Sequence, residues 1–306
     1  MTLVIYGPTV TGKTDLALKL AQKFNGELIS ADSRQVYKLL DIGTGKVGIN
    51  SKVKKRSNVW IVDGVKIYGF DLVDPGENFS VSQFYKFGSD QIAAVHSENK
   101  LPIVVGGTGY YIKSLIKPFD SLGIPPNLTL RNKLEKFSKE DLFLHLKKIN
   151  PKKAESLNNS DKNNPRRLIR AIEIAGFNKK PIGKKHLNYQ MIGLSADNKY
   201  LYNRANIWLE TRLRNGLIEE VENLIKKGIS PKWLESLGLE YRWLTKHLTG
   251  EITYDTAISR LQGDIHGLIR RQKTFFLQFP KIKLFDIQKK GYQKEIFDLV
   301  KNYLGV

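Results

Sequence analysis

The chain has 306 residues, 41% of them hydrophobic, with 50 Lys and Arg against 30 Asp and Glu, a formal net charge of +20 and a pI near 9.8. There is no cysteine, which excludes disulfides and thiolate metal sites and fits a reducing cytoplasm, and no apolar run approaches the ~18 residues of a membrane span. The length suits one large domain with an insertion, or two domains; the charge exceeds what a small phosphate ligand needs and suits a polyanion, a Lys- and Asn-rich compositional drift being the alternative.

The first predicted strand is the apolar run Leu3 to Tyr6, so no signal peptide is expected. It leads into "GPTVTGKT", Gly7 to Thr14, which fits G-x-x-x-x-G-K-T, and a helix-period run then continues through Phe24. This is the strand–loop–helix context of a phosphate-binding P-loop. Gly7 and Gly12 let successive N–H groups turn inward, and the helix N-terminus adds partial positive charge. Lys13 is placed for a phosphate oxygen and the Thr14 hydroxyl for Mg²⁺. A second strand, "GELISAD", ends on Asp32. "VKIYGFDLV" reads as a further strand and "FSVSQFYKFGSDQIAAVHSEN" as an amphipathic helix. "LPIVVGGTGYYIKSL" reads as a buried strand, a Gly-rich turn and a helix start. Alternation of this kind predicts an α/β fold with a parallel sheet flanked by helices, with ligands at the carboxyl ends of the strands. The phosphate loop, Asp32 and Gly106-Gly107-Thr108 all fall at such ends, in one crevice.

From Pro118 to Leu187 the pattern changes to short helices such as "LRNKLEKF", "EDLFLHLKKI" and "PRRLIRAIEIA". These 70 residues carry 16 Lys and Arg against seven Asp and Glu, so +9 of the +20 lies here. The expectation is a P-loop core over 1–117 and 188–306, with a mostly helical, basic insertion over 118–187 that faces a polyanion. A solvated helical lid is the alternative. After the strand "QMIGLSAD", helices are predicted to the end, including one over "YNRANIWLETRLRNGLIEEVENLIKKG" and one over "YDTAISRLQGDIHGLIRRQKTFFLQF". In the latter, Ile258, Leu261, Ile265, Leu268 and Ile269 form a core stripe. His266, Arg270 and Lys273 form a basic face beside Phe275 and Phe276, suited to phosphate contact and base stacking, an ordinary amphipathic helix being the alternative.

The buried strand "LPIVV" ends in Gly-Gly-Thr, not in the aspartate with which motor and switch ATPases hold Mg²⁺. The well-placed carboxylate is Asp32, which could take a proton from an incoming nucleophile; the competing role is helix N-cap for "ADSRQVY". Two reaction classes remain open on this reading. One is phosphoryl transfer by a small kinase. The other is transfer of the carbon group attached to a diphosphate leaving group. An RNA-binding module with a vestigial loop is a third.

"GPTVTGKTDLALKLA", "ELISADSRQVYKLLDIGTGK", "PIVVGGTGYYIKSL", "NPRRLIRAIEI" and "RRQKTFF" occur in this order over nearly the whole chain. Together they resemble the bacterial tRNA dimethylallyltransferase (IPP transferase) family. The resemblance implies a cytoplasmic monomer that transfers a dimethylallyl group from dimethylallyl diphosphate to N6 of the adenosine beside the tRNA anticodon, with Mg²⁺. It implies that Gly7 and the stretch Thr9, Val10, Thr11, Gly12, Lys13 and Thr14 hold the donor's diphosphate together with Arg204, and that Asp32 is the base, with Lys13 and Thr108 also catalytic. It implies tRNA contacts from Asp32, Ser33, Arg34, Gln35 and Thr108. Further contacts would come from Arg131, from Arg166, Arg167, Leu168, Ile169 and Arg170, from Leu237, Gly238, Leu239, Glu240, Tyr241 and Arg242, and from Arg270.

The chain departs from the family pattern in places. Trp208 stands where the second arginine of Arg-x-x-x-Arg is expected, with Arg212 one turn further along nearly the same face. Trp243, His266 and Phe275 also differ from the usual residues. A relative that prenylates free AMP is the nearest alternative; a mononucleotide acceptor would need neither the basic insertion nor +20.

Overall fold

In the computed structural model, which describes residues 1–48, 50–56, 59–177 and 187–306, the N-terminal apolar run is an inner strand of an eight-stranded sheet. The chain forms β1 (Thr2–Tyr6), α1 (Lys13–Lys23), β2 (Gly26–Ser30), β3 (Val53–Arg56), β4 (Val59–Val62), β5 (Val65–Tyr68), α2 (Val81–Ser97), β6 (Leu101–Gly106) and α3 (Gly109–Ile116). Five short helices follow: α4 (Leu128–Leu134), α5 (Lys139–Ile149), α6 (Pro151–Glu155), α7 (Asn159–Lys162) and α8 (Pro165–Ala175). The remainder is β7 (Tyr189–Ser195), α9 (Asn198–Arg214), α10 (Leu217–Lys226), α11 (Pro231–Leu237), α12 (Leu239–Leu248), α13 (Tyr254–Thr274), β8 (Lys283–Asp286) and α14 (Tyr292–Leu304). Two compact units result: Met1–Lys117 with His186–Val306, and Pro118–Lys185.

In the first unit the strand order is β3-β4-β5-β2-β6-β1-β7-β8. Side chains alternate across a strand, and β1 uses both faces. Val4 and Tyr6 join Ile29, Val104 and Met191 in a core shared with the helical C-terminal part. Leu3 and Ile5 join Leu28, Ile103 and Ile192 beneath α1 and α14. The fold is α/β as expected, but the sheet is mixed. β2, β5, β6, β1, β7 and β8 pair in parallel, while β3–β4–β5 is an antiparallel edge. Sequence patterning misses β3 because "VKKR" is a half-exposed edge strand without apolar alternation.

Two local expectations also change, and the competing helix-cap role for Asp32 drops out. The helix expected over residues 202–228 breaks at Gly216, whose φ of 94° lies in the left-handed region that glycine tolerates. Residues 33–36 form turns, so Asp32 caps no helix. β8 lies in a stretch read as helical.

The second unit is a small helical core of Leu134, Leu142, Leu146, Ala154, Leu168, Ile169 and Ile172. Each of its five helices begins on a residue whose side chain accepts a backbone N–H two or three residues on: Asn127, Ser138, Asn150, Asn158 and Asn164. The Asn-rich composition therefore does structural work here, each cap contributing about 1 kcal/mol. Leu168 and Ile169, grouped with the RNA contacts above, have their side chains buried in this core. Arg131 donates twice to the buried Glu173 carboxylate, at 2.8 and 2.9 Å. Arg170 reaches the same carboxylate at 3.1 Å and the carbonyls of Ser121 and Ile124. Burial pushes the Glu173 pKa up, but the Arg131, Asn127 N–H and Arg170 hydrogen bonds outweigh it and bring the group below the usual carboxylate range. Arg167 pairs with Asp161 at 2.8 Å. Arg166 is exposed and has no partner among the described residues.

Arg131→Ala is expected to cost roughly 2 kcal/mol, the scale of hydrogen bonds to a charged group, because Glu173 stays buried with one guanidinium fewer. Urea unfolding of the whole chain measures it; an unshifted midpoint would remove Arg131 from the stabilising network.

Candidate active site

β1 ends at Tyr6, and the chain turns through residues 7–12 into α1. Gly12, the residue before α1, has φ 76°, and Val10 has φ 60°. The Thr11 hydroxyl donates to the Pro8 carbonyl at 2.8 Å, and Lys13 Nζ donates to the same carbonyl at 2.5 Å. Arg204 Nε on α9 donates to the Val10 carbonyl at 2.9 Å. The first N–H groups of α1 have no intrahelical acceptor and are available to an anion. Burial lowers the Lys13 pKa to about 8, against the opposing pull of the Asp32 charge. The cation is thus held without a full counter-charge. Thr9 differs from the sequence expectation: its N–H is engaged by Gln272 Oε1 at 2.8 Å, which leaves its side chain to line the cavity.

Two more strand ends meet this loop. Asp32, just after β2, accepts the Arg34 N–H on Oδ1 at 2.8 Å, and Oδ2 has no partner among the described residues. The Ser33 N–H donates to Thr108 Oγ1 at 3.0 Å, which clips the end of β2 to the turn after β6. Gln35 accepts from the Ser30 hydroxyl and donates to the Thr44 and Gly45 carbonyls at 3.2 and 3.1 Å. The loop 41–46 is then fixed from both sides. Glu220 on α10 accepts the N–H groups of Asp41, Ile42 and Gly43 at 2.8, 2.6 and 2.9 Å and the Tyr241 hydroxyl at 2.8 Å. Lys46 is fully buried and bonds the Tyr37 carbonyl, Asp41 and Asp71.

The third wall comes from α9, α12 and α13. Arg212 is buried and donates through Nη1 to the Gly43 carbonyl at 2.9 Å and to Glu240 at 3.2 Å. Its guanidinium carbon lies 3.2 Å from the centre of the Trp208 ring. Its Nη2 has no hydrogen-bond partner among the described residues. Burial lowers the Arg212 pKa to about 10 and raises that of Glu240. Trp208 and Arg212 therefore act as one stacked unit, with the charge one turn beyond the position the resemblance implies.

Together these segments enclose a cavity of about 990 Å³, a large volume for a ligand site. Thr9, Val10, Gly12, Lys13 and Thr14 of the phosphate loop, Asp32 to Gln35, Thr108, Trp208, Arg212 and all of Leu237 to Arg242 line it, whereas Gly7 and the buried Thr11 lie behind the lining. Within the last group, Leu237 and Tyr241 are buried and Glu240 is committed to Arg212, so Gly238, Leu239 and Arg242 are its more open members. Arg204 touches the loop from outside the cavity lining. The predicted basic face of α13 is largely engaged. His266 stacks on Tyr202, Arg270 donates to the Tyr202 hydroxyl, and Lys273 holds the Ala196 carbonyl and Asn198. Arg271, its neighbour, is exposed and lines the cavity.

The sequence model of the family described as "IPP transferase" matches residues 35–279. The chain belongs to the IPP transferase family. This IPP transferase chain is 38% identical to the tRNA dimethylallyltransferase of Acetivibrio thermocellus, over 99% of this chain and 97% of that protein. It is 37% identical to that of Carboxydothermus hydrogenoformans, over 95% and 94%. Among solved structures, the tRNA isopentenylpyrophosphate transferase of Bacillus halodurans aligns with a TM-score of 0.72 at 32% identity, over 99% of this chain and 96% of that one. A eukaryotic dimethylallyltransferase acting on tRNA aligns at 0.78 and 25%, over 98% and 79%.

Sequence reading passes over Gln272 and Glu220. Gln272 had a signal: it extends the stripe Leu261, Ile265, Ile269 by three residues, and a polar side chain on a core stripe calls for a buried partner. Glu220 had none, because an acid in the first turn of an amphipathic helix looks like any solvated or dipole-pairing one.

The lowered Lys13 pKa has a measurable consequence. Above about pH 8 the free site loses its ammonium. Affinity for inorganic diphosphate should therefore fall as pH rises through 8, and binding between pH 8 and 10 should take up a proton. Calorimetry in buffers of different ionisation enthalpy reads both; a flat profile would mean that Lys13 stays charged or does not meet the anion.

Proposed function

We propose that this IPP transferase transfers a dimethylallyl group from dimethylallyl diphosphate to N6 of an adenosine in the anticodon loop of tRNA and releases diphosphate. The observation that carries the reading is the meeting, in one cavity, of a loop of G-x-x-x-x-G-K-T sequence at a helix N-terminus with a carboxylate, Asp32, one oxygen of which has no partner among the described residues. The names of the two curated relatives described above, at 38% and 37% identity over nearly the whole chain, agree with it.

In this reading the diphosphate lies against the loop, with Lys13 and the α1 N-terminus facing its oxygens. The allylic C1–O bond breaks, N6 of adenine bonds to C1, and the N6 proton goes to Asp32. The ring delocalises the N6 lone pair, so a base aimed at that proton helps most as the new bond forms. Charge leaving with the diphosphate is met by Lys13 and the fixed N–H dipoles. The target base must leave its stack to enter so deep a cavity, and a basic surface elsewhere must hold the rest of the RNA.

Mg²⁺ fits the residues present. The Thr14 hydroxyl lines the cavity without a protein partner among the described residues, and Asp15 and Asp32 line it too. No cluster of three or more His, Cys, Asp or Glu that could bind a metal exists among the described residues. Mg²⁺ suits such a place because it takes most of its ligands from water and phosphate oxygens. When bound it would neutralise charge on the departing diphosphate.

Incubation with labelled dimethylallyl diphosphate and either unmodified tRNA or AMP tests the reading. Label in tRNA supports it, label in AMP alone replaces the acceptor, and no label in either overturns it. Asp32→Ala should lower kcat by roughly 10²-fold or more, the scale of a positioned base, with tRNA affinity retained. Near-normal turnover would sink the base assignment.

The insertion's arginines should separate by their partners. Arg166→Ala should reduce the slope of log K against log salt by about one phosphate contact, whereas Arg131→Ala should act first on stability. A slope unchanged in the Arg166 variant would count against RNA contact there.

A further inference from the structure

Residue 272 grips the phosphate loop at both ends of its first turn. The Tyr6 hydroxyl, from the last residue of β1, donates to the Gln272 main-chain carbonyl at 2.8 Å. The Thr9 N–H donates to Gln272 Oε1 at 2.8 Å. Between them lie Gly7 and Pro8, and Pro8 is the residue whose carbonyl receives both Thr11 and Lys13. The other end of the amide, Nε2, donates to the Gly107 carbonyl at 3.0 Å, beside Thr108. The side chain is buried. It therefore joins the loop after β1, the turn after β6 and α13, all three of which line the cavity.

We propose that Gln272 is the positioning residue of the phosphate loop: its amide turns the Thr9 N–H out of the anion cradle and fixes the turn from which Lys13 and the α1 N-terminus reach the ligand. The inference rests on the reading of this cavity as a diphosphate site. The geometry demands an amide. One end must accept a backbone N–H and the other must donate to a backbone carbonyl, at fixed separation and in a buried place. Alanine supplies neither function. A carboxylate accepts but cannot donate, and it would set a negative oxygen against the Gly107 carbonyl. A protonated carboxyl accepts through one oxygen and donates through the other, so it reproduces the amide.

That difference gives a test that a merely space-filling role would not pass. Binding of inorganic diphosphate with Mg²⁺ is measured by calorimetry for wild type, Gln272→Ala, Gln272→Met and Gln272→Glu from about pH 8 to about pH 5, a span over which a carboxyl gains its proton. The charged and titratable groups on the surrounding elements include Lys13 and Asp15 at the loop and α1, Arg204 on α9, Asp32 and Arg34 after β2, and Asp264, His266, Arg270, Arg271 and Lys273 on α13. They are common to all four proteins, so the ratio to wild type at each pH isolates the substitution. The expected result is diphosphate affinity about tenfold weaker in the Ala and Met variants at every pH, for loss of one or two buried hydrogen bonds. The Glu variant should be as weak near pH 8 and recover towards wild type near pH 5.

Circular dichroism melts establish that each variant is folded, and Gln272→Met keeps the side-chain volume should Gln272→Ala unfold. Affinities equal to wild type in the Ala or Met variants overturn the proposal. So does a Glu variant whose ratio to wild type is independent of pH. If wild type itself binds no diphosphate, the reading of the cavity fails instead, which is a separate outcome from a wild type that binds and variants that match it.

Discussion

Everything at the cavity depends on three parallel strands that finish level with one another. Tyr6 of β1 pairs with Gly106 of β6 and with Gly193 of β7, and Ser30 of β2 pairs with Val105. β1 ends at Tyr6, β6 at Gly106 and β2 at Ser30, so the phosphate loop, Asp32 and Gly107-Thr108 emerge side by side. A shift of register by one residue would reverse the faces of β1 and separate these groups. The hydrophobic alternation that buries Leu3 and Ile5 on one face and Val4 and Tyr6 on the other therefore also sets the geometry of the chemistry.

The cavity wall is built from charges whose partners are fixed main-chain groups. Lys46 sits on a carbonyl and two aspartates, Glu220 on three N–H groups, Arg212 on a carbonyl and one glutamate. Removing Arg212 would leave the Glu240 carboxylate buried without its counter-charge, and removing Glu220 would leave three main-chain N–H groups without their acceptor. Lys13 stands apart: its fixed contact is one neutral carbonyl, and the nearby Asp32 charge does not outweigh its desolvation. One ammonium left under-neutralised while the others are satisfied supports the proposed placement of an anion at that point.

Much of this was legible in the residues. The spacing of Gly7, Gly12, Lys13 and Thr14 between an apolar run and a helical run identified the loop, because few other local structures demand those residue types together. Asp32 was legible because it terminates an apolar run one βα unit later. What failed to show was partnership. Arg131 and Arg170 read as free charge, yet one glutamate 42 and 3 residues away engages both. Lys273 and His266 read as a basic face, yet α9 and the end of β7 occupy them. β3 was missed because a mostly exposed strand with two lysines and an arginine carries no apolar alternation, and the break at Gly216 because the apolar period runs on either side of it. Trp208 looked like a loss of charge; its ring and the Arg212 guanidinium are instead a stacked pair.

The pairing of β1 with β7 matters before the protein is complete. Thr2 lies beside Tyr189, and Thr9 is tied to Gln272 across 263 residues. A chain made on the ribosome emerges from its N-terminus, so β1 waits through nearly two thirds of synthesis with one edge unpaired. The turn that would receive the anion is secured later still, when α13 arrives. The helices α4 to α8 of the second unit, each begun by its own Asn or Ser, need no such wait. Closure of the sheet over such sequence separations is the slow kind of folding event, and it places the assembly of the anion site among the final steps in the maturation of the nascent protein.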